Sequence, residues 1–292
     1  LKAAEGIGMA RVLSLARSVY RSLALLTLLI AACIHGQYRR RFRGMKVGAE
    51  GAVWGSGWCR TIVRALGVRC TVEGPLPDAG AGMLAVVSNH LSYLDILIYS
   101  SLRPFIMVAK YEIRSWPLLG WITAQAGTVY VQRADHPGGQ TQTRAEVNAL
   151  MAEAYRTGLP VLFFPEGTTT DGAGILPFRR GLYNSVVYDQ VPMKVAALAI
   201  SLDEANPGKT VGEDVCFVGD AQFAPHLFGC LGLRGVHAHV AFSDEFVAGK
   251  DRFELAIESR ERVLALHERL SARIAAEREQ QVAMDAEVAL TR

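Results

Sequence analysis

The stretch Val86-Val87-Ser88-Asn89-His90-Leu91-Ser92-Tyr93-Leu94-Asp95 leaves one apolar run, crosses a polar turn and enters a second apolar run that continues to Leu102. Residues 83–87 have the composition and length of an interior strand, and 96–102 read as the body of a helix, so the turn between them is a strand-to-helix crossing. That turn carries an imidazole and a carboxylate. On an unbroken helix their spacing would set His90 and Asp95 roughly 140° apart at about 100° per residue, so they meet only if His90 lies in the turn and Asp95 in the first helical turn. There the carboxylate takes the N–H of one ring nitrogen and leaves the other as an acceptor, which makes His90 a general base aimed at a hydroxyl. The plainer alternative is a helix cap with a solvated histidine beside it.

Two later stretches have the same form. Gly127-Thr128-Val129-Tyr130-Val131-Gln132-Arg133 and Phe163-Phe164-Pro165-Glu166-Gly167-Thr168 each close an apolar run with a charged residue at its polar end. Strand patterns at 68–73, 105–109, 127–131, 161–164, 191–198 and 236–242 alternate with helical ones, among them 52–66 and 143–157. The alternation predicts an α/β fold, a mostly parallel sheet flanked by helices on both faces. Arg133 falls just past its strand, at the end where open parallel sheets collect ligands, and a guanidinium there can grip a phosphate through paired charge-assisted hydrogen bonds. Gly167 permits close backbone approach, while Glu166 can take a hydroxyl of a substrate or orient a basic residue.

In order and spacing the three stretches resemble the glycerolipid acyltransferases of the 1-acylglycerol-3-phosphate acyltransferase family, over roughly residues 80–245. Phe178-Arg179-Arg180-Gly181 matches that family's basic element ahead of a helix, and Val191-Pro192-Met193-Lys194-Val195-Ala196-Ala197-Leu198 falls at its fourth motif, with Lys194 and Val195 as departures. After Thr168 the family commonly has an arginine or a serine-rich turn; here Thr169-Thr170-Asp171-Gly172 follows, which resembles a bacterial subgroup.

The resemblance implies transfer of an acyl group from acyl-coenzyme A or acyl carrier protein to the hydroxyl of a lysophospholipid. The foremost acceptor is the sn-2 position of 1-acylglycerol-3-phosphate, giving phosphatidic acid. No cofactor is implied beyond the thioester co-substrate, and transfer is direct, within a ternary complex. On this reading His90 removes the proton and Asp95 holds the imidazole. Arg133 with Lys110 binds the acceptor's phosphate, and Glu166, Gly167 and Thr168 shape the acceptor pocket. The thinned charge of the third motif keeps a lyso-ornithine lipid in view as acceptor, and a hydrolase that uses the same pair to activate water is the rival from another class.

The chain of 292 residues is 50% hydrophobic, rich for a water-soluble protein, and its net charge of +3 is too small to suggest a nucleic-acid partner. The basic residues bunch near the N-terminus. Arg11, Ser14, Arg17, Ser18, Arg21 and Ser22 form a polar helical stripe opposite Val12, Leu13, Leu15, Val19 and Tyr20. Residues 23–34 are uncharged and shorter than the ~20 needed for an upright span, and Arg39, Arg40, Arg41, Arg43 and Lys46 follow. This predicts an interfacial or half-inserted helix on anionic lipid, with a true span as second choice. Ile30-Ala31-Ala32-Cys33 resembles a lipoprotein cleavage box, but the basic cluster behind it opposes export and points to the cytoplasmic face of the inner membrane.

Trp54, Trp58, Ile62, Val63 and Leu66, with Arg60 and Arg64 between them, suit either a headgroup layer or a core-facing helix. The expected organisation is a membrane-associated helical segment with its basic cluster over 1–46, the acyltransferase domain over 47–250, and a C-terminal helix and tail over 251–292 that frays after about Ala276. Cys33, Cys59, Cys70, Cys216 and Cys230 show no metal-ligand spacing and suit a reducing compartment. His237 and His239 share one strand face without a third ligand in evidence, so no metal is expected. Gly208-Lys209-Thr210 lacks the preceding glycine of a phosphate loop, and no GxSxG elbow occurs.

Overall fold

The computed structural model describes residues 2–78, 82–132 and 142–290. A single helix, α1 (Lys2–Arg43), leads into α2 (Ala49–Ala65) and β1 (Arg69–Glu73). The strand-to-helix crossing forms as β2 (Ala85–Val87) and α3 (Leu94–Leu102). Next come β3 (Ile106–Lys110), a 3-10 turn at Tyr111–Ser115, α4 (Leu119–Gln125) and β4 (Val129–Val131). These are followed by α5 (Arg144–Arg156), β5 (Val161–Phe163), α6 (Tyr183–Tyr188) and β6 (Met193–Ser201). The chain closes with α7 (Val211–Asp214), α8 (Phe223–Leu231), β7 (His237–Phe242) and α9 (Arg252–Leu290).

The sheet runs β1-β7-β6-β2-β5-β3-β4, and every adjacent pair is parallel except β6 with β7. Strands β2 and β5 are buried throughout, because they are central and covered on both faces. Ala85, Val87, Val161 and Phe163 pack with α5, α6 and α9 on one face; Val86 and Leu162 pack with α3 on the other. Continuous apolar runs are what such doubly covered strands require. Thr143 starts α5 with a reciprocal capping box to Glu146.

This register builds the site's edge. Val87 pairs with Phe163 in parallel, so the segments that follow, Ser88–Tyr93 and Phe164–Thr170, leave the sheet side by side. Lys110 ends β3 at the same edge, two strands from β2, which is about 10 Å at the usual strand spacing.

The N-terminal helix docks by its polar stripe. Ser14 and Arg17 donate to Gly232 O at 3.2 and 2.9 Å, and Arg21 donates to Leu231 O at 3.1 Å and Leu233 O at 2.6 Å. These are the carbonyls at the C-terminal end of α8, which lack helical donors of their own. Farther along, Leu25, Leu28 and Leu29 pack on Ile62, Leu66 and Leu231, and Gly36 lies so close to Trp54 and Trp121 that a Cβ would stand 2.8 Å from both rings. Arg40 reaches Gln125 at 2.8 Å. Trp54 is buried in this contact and Trp58 donates to His35 Nδ1 at 3.1 Å, so of the two readings of that helix the core-facing one holds. Val12, Leu13, Leu15, Val19, Tyr20, Leu23, Leu26, Ile30 and Ile34 remain exposed.

The C-terminal helix corrects one expectation. Instead of fraying after Ala276, α9 stays helical to Leu290. Its last turns are rich in Ala, Glu, Gln and Arg, the residues that lose least on entering a helix, and Arg273 pairs with Glu277 one turn on.

Candidate active site

His90 stands in the turn after β2 and Asp95 in the first turn of α3, and Nδ1 of His90 is 2.7 Å from Asp95 Oδ2. The same Oδ2 accepts the main-chain N–H groups of Leu91 at 2.6 Å and Ser92 at 3.0 Å. Asp95 is 0% exposed, yet three donors and the positive end of a helix surround its charge. Because a carboxylate only accepts, Nδ1 must carry the proton and Nε2 is the ring nitrogen left to accept one. The His90 side chain is 21% exposed.

The neighbouring loop holds the imidazole from beneath and from both sides of its main chain. Phe164 stacks under the ring, 4.1 Å between centroids and 11° between planes. Glu166 Oε1 accepts from His90 N–H at 2.8 Å, and Thr170 N–H donates to His90 O at 2.9 Å. The other Glu166 oxygen accepts from Leu176 N–H at 2.8 Å. Burial pushes the Glu166 carboxyl up from its ordinary range, opposed by these two N–H donors and by His90. Gly167 takes a φ of +74° in this turn, a left-handed conformation that favours glycine, and Thr168 is exposed beside it.

Two more anchors complete the motif's support. Asn89 bridges the main chain of Leu198 with two 2.8 Å bonds, continuing the contact with β6 beyond the end of β2. Leu91 O accepts from Phe217 N–H at 2.8 Å, and Thr169 Oγ1 donates to Phe217 O. Tyr93 turns away from His90's partner and bonds His226 Nδ1 at 3.1 Å, among the rings of Phe217 and Phe223; Trp116 packs on Phe223 at 4.7 Å.

The structure therefore brings together His90, Asp95, Glu166 and the turn through Gly167 and Thr168. Lys110 sits at the same edge, exposed and two strands away. Arg133 lies outside the described residues. Sequence reasoning gave no role to Phe164, Thr170, Leu176 or Asn89. Phe164 was visible as the last apolar residue of its run, but nothing local says which ring it meets. At β7, the His237 and His239 rings lie 4.0 Å apart and bond Thr71 and Ser201; no cluster of three or more metal-ligating side chains occurs among the described residues. A cleft of about 600 Å³ beside Glu73, Ser243 and Arg269 opens at the opposite edge of the sheet, away from His90.

Comparison with known proteins finds acyltransferases. The family model described as Acyltransferase matches residues 68–198. A lyso-ornithine lipid O-acyltransferase of Rhodobacter capsulatus is 34% identical over 63% of this chain and 64% of its own length. A 1-acyl-sn-glycerol-3-phosphate acyltransferase of Neisseria meningitidis serogroup B is 34% identical over 55% and 60%, so neither alignment reaches two thirds of the relative. A lyso-ornithine lipid O-acyltransferase of Brucella abortus is 32% identical over 71% of this chain and 79% of its own. The crystal structure of the 1-acyl-sn-glycerophosphate acyltransferase PlsC from Thermotoga maritima superposes with a TM-score of 0.66 over 90% of this chain and 98% of that one; at 16% identity it speaks for the fold.

Proposed function

The chain belongs to the glycerolipid acyltransferase family, and on that premise we propose that it moves an acyl group from a thioester to the free hydroxyl of a lysolipid. The observation that carries the reading is the 2.7 Å contact of His90 Nδ1 with a fully buried Asp95, which commits Nε2 to accepting a proton. His90 Nε2 takes the proton of the acceptor hydroxyl as its oxygen attacks the thioester carbonyl carbon. The new C–O bond forms, the C–S bond breaks, and the imidazolium returns its proton to the departing sulfur. Asp95 stabilises the imidazolium in between. Acyl-coenzyme A or acyl carrier protein supplies the thioester, and the step balances without a further cofactor.

For the acceptor we propose 1-acylglycerol-3-phosphate, with Lys110 and Arg133 toward its phosphate and the turn through Gly167 and Thr168 beside its glycerol. A second reading is a lyso-ornithine lipid. It is favoured by the turn Thr168-Thr169-Thr170-Asp171-Gly172, which offers a phosphate no cation, and by relatives that carry that name.

The site works at a membrane surface. Within Met9–Arg43 an 18-residue window reaches a mean hydropathy of 1.6 with only 11% of it buried, so by length and composition the helix could cross a bilayer. Yet α1 is held to the rest of the chain from Ser14 at α8 to Arg40 at α4, about 39 Å at 1.5 Å per residue, which exceeds the ~30 Å hydrocarbon core. A helix cradled along that length lies in the interface, with its exposed apolar face toward lipid. We propose the cytoplasmic face, a reading supported by the basic cluster at 39–46 and by the need for a thioester.

Purified full-length chain offered each lysolipid with a palmitoyl thioester, with products read by mass spectrometry, tests the reading. Acylated product from one acceptor is the expected result. Free fatty acid without acylated lipid would make the protein a hydrolase, and no turnover of any acceptor would refute the assignment.

A further inference from the structure

Glu166 was expected to face the acceptor, and its carboxylate is turned into the protein instead. The residue is 2% exposed, with one oxygen on His90 N–H and the other on Leu176 N–H, both at 2.8 Å. Leu176 is itself fixed from outside the loop. Arg260 donates to Leu176 O at 3.1 Å through Nε and to Ile175 O at 2.6 Å through Nη2. Arg260 belongs to α9, well beyond the segment 68–198 that the family model matches.

We propose that Glu166 and Arg260 form a brace that positions His90, running from α9 through the main chain at 175–176 to the main-chain N–H of the base. The inference rests on the reading of His90 as general base. With its N–H on Glu166 and its C=O on Thr170, the His90 backbone is pinned at both ends, and Phe164 and Asp95 then fix the ring. Glu166 is a positioning residue in this scheme and makes no bond to the acceptor. A role in acceptor binding would need a substrate hydroxyl to reach these two oxygens, and at 2% exposure the residue offers it almost no surface.

The two roles separate in kinetics. In Glu166→Gln the one amide oxygen can serve only one N–H and its NH₂ group faces the other, so one strut is lost while the shape is kept. A base displaced by a fraction of an ångström loses rate and not substrate affinity, so kcat should fall about 10- to 100-fold with both KM values within about twofold. Arg260→Met, acting at one remove through the main chain at 175–176, should lower kcat by roughly 3- to 10-fold with the same unchanged KM values. Glu166→Gln should also add almost nothing to the loss caused by His90→Ala, because both act through the base.

The experiment is steady-state kinetics of the full chain, wild type and both variants, with whichever lysolipid the wild type acylates. Binding of that lysolipid is measured in parallel to His90→Ala protein with and without Glu166→Gln. Lowered kcat with unchanged KM and unchanged binding supports the brace. A raised acceptor KM, weaker acceptor binding in the His90→Ala background, or wild-type kcat in both variants overturns it. If Glu166→Gln does not fold, Arg260→Met decides on the same criteria. An inactive wild type would instead remove the acyltransferase reading itself, and with it the base that the brace is proposed to position.

Discussion

Asp95→Asn separates two ways in which the carboxylate can serve the base. An amide in its place could turn its NH₂ toward the ring and trap the proton on Nε2, which would abolish base catalysis. The structure argues against that outcome. The atom facing Nδ1 also accepts Leu91 N–H at 2.6 Å and Ser92 N–H at 3.0 Å, and an NH₂ group there would face two donors at once. Asn should therefore keep its oxygen in that position and leave the tautomer unchanged. What it loses is the negative charge opposite the imidazolium that forms during transfer. Two unit charges about 4 Å apart at an effective dielectric near 20 attract by about 4 kcal/mol, or roughly 10³ in rate at 1.36 kcal/mol per decade. The loss belongs to the transition state, so kcat should fall about 10²- to 10³-fold with little change in KM. Thiol release from the donor measures the rate, and ¹⁵N NMR of the imidazole measures the tautomer. A proton on Nε2, or a correctly folded Asp95→Asn protein of wild-type activity, would refute this account of the pair. The His90→Ala, Asp95→Asn double variant should be hardly slower than His90→Ala alone.

Three further outcomes follow from the same geometry. Leu23→Glu with Ile30→Glu places charges on the exposed face of α1, so sedimentation with anionic vesicles should drop sharply while the circular dichroism spectrum stays native; undiminished sedimentation would put the anchor elsewhere. Phe164→Leu keeps apolar volume but removes the ring stacked under His90, and should lower kcat several-fold at a stability cost of about 1–2 kcal/mol, read by denaturant titration. His239 is depressed to about 4 by burial and by its neighbour His237, so it is neutral in the fold and binds a proton on unfolding; its contribution is present above its ordinary pKa near 6.5 and is lost as pH falls toward 4. His239→Gln should flatten the decline in melting temperature across that window, and an unchanged slope would count against it.

The parts of this fold legible in the sequence are those fixed locally. Each buried strand announces itself as a short apolar run, and the spacing of His90 and Asp95 admits contact only across a strand-to-helix turn, which is where β2 and α3 put them. What stays hidden depends on partners distant in the chain. The polar stripe of α1 was readable as a face, but not that Arg17 and Arg21 would be spent on the carbonyls at the end of α8 some 210 residues away. A soluble helix turns such a stripe to water and its apolar side inward; α1 does the reverse, as a helix that faces lipid would. Glu166, readable as a contact for the acceptor or as an orienter of a basic residue, was left between those two for a related reason. Its motif marks it as important, yet only the Leu176 and His90 N–H groups on either side decide that it faces inward.

If α1 faces lipid and His90 is the base, as proposed, the position of α8 ties the two together. Its C-terminal carbonyls receive Arg17 and Arg21 of α1, while Phe223 and His226 of the same helix touch Tyr93, three residues from His90. A nine-residue helix is about 13 Å long, so the surface that meets lipid and the turn that holds the base are one short element apart. For a lysolipid acceptor that distance decides how the substrate arrives. Drawing a sixteen-carbon chain fully into water costs on the order of 10 kcal/mol at about 0.8 kcal/mol per CH₂, which leaves fewer than about one molecule in 10⁷ extracted at equilibrium. A headgroup that crosses one helix length while its chain stays in the bilayer avoids nearly all of that cost. The docking of α1 by its polar side, which looks inverted for a soluble protein, is the arrangement that sets His90 within such reach of the surface.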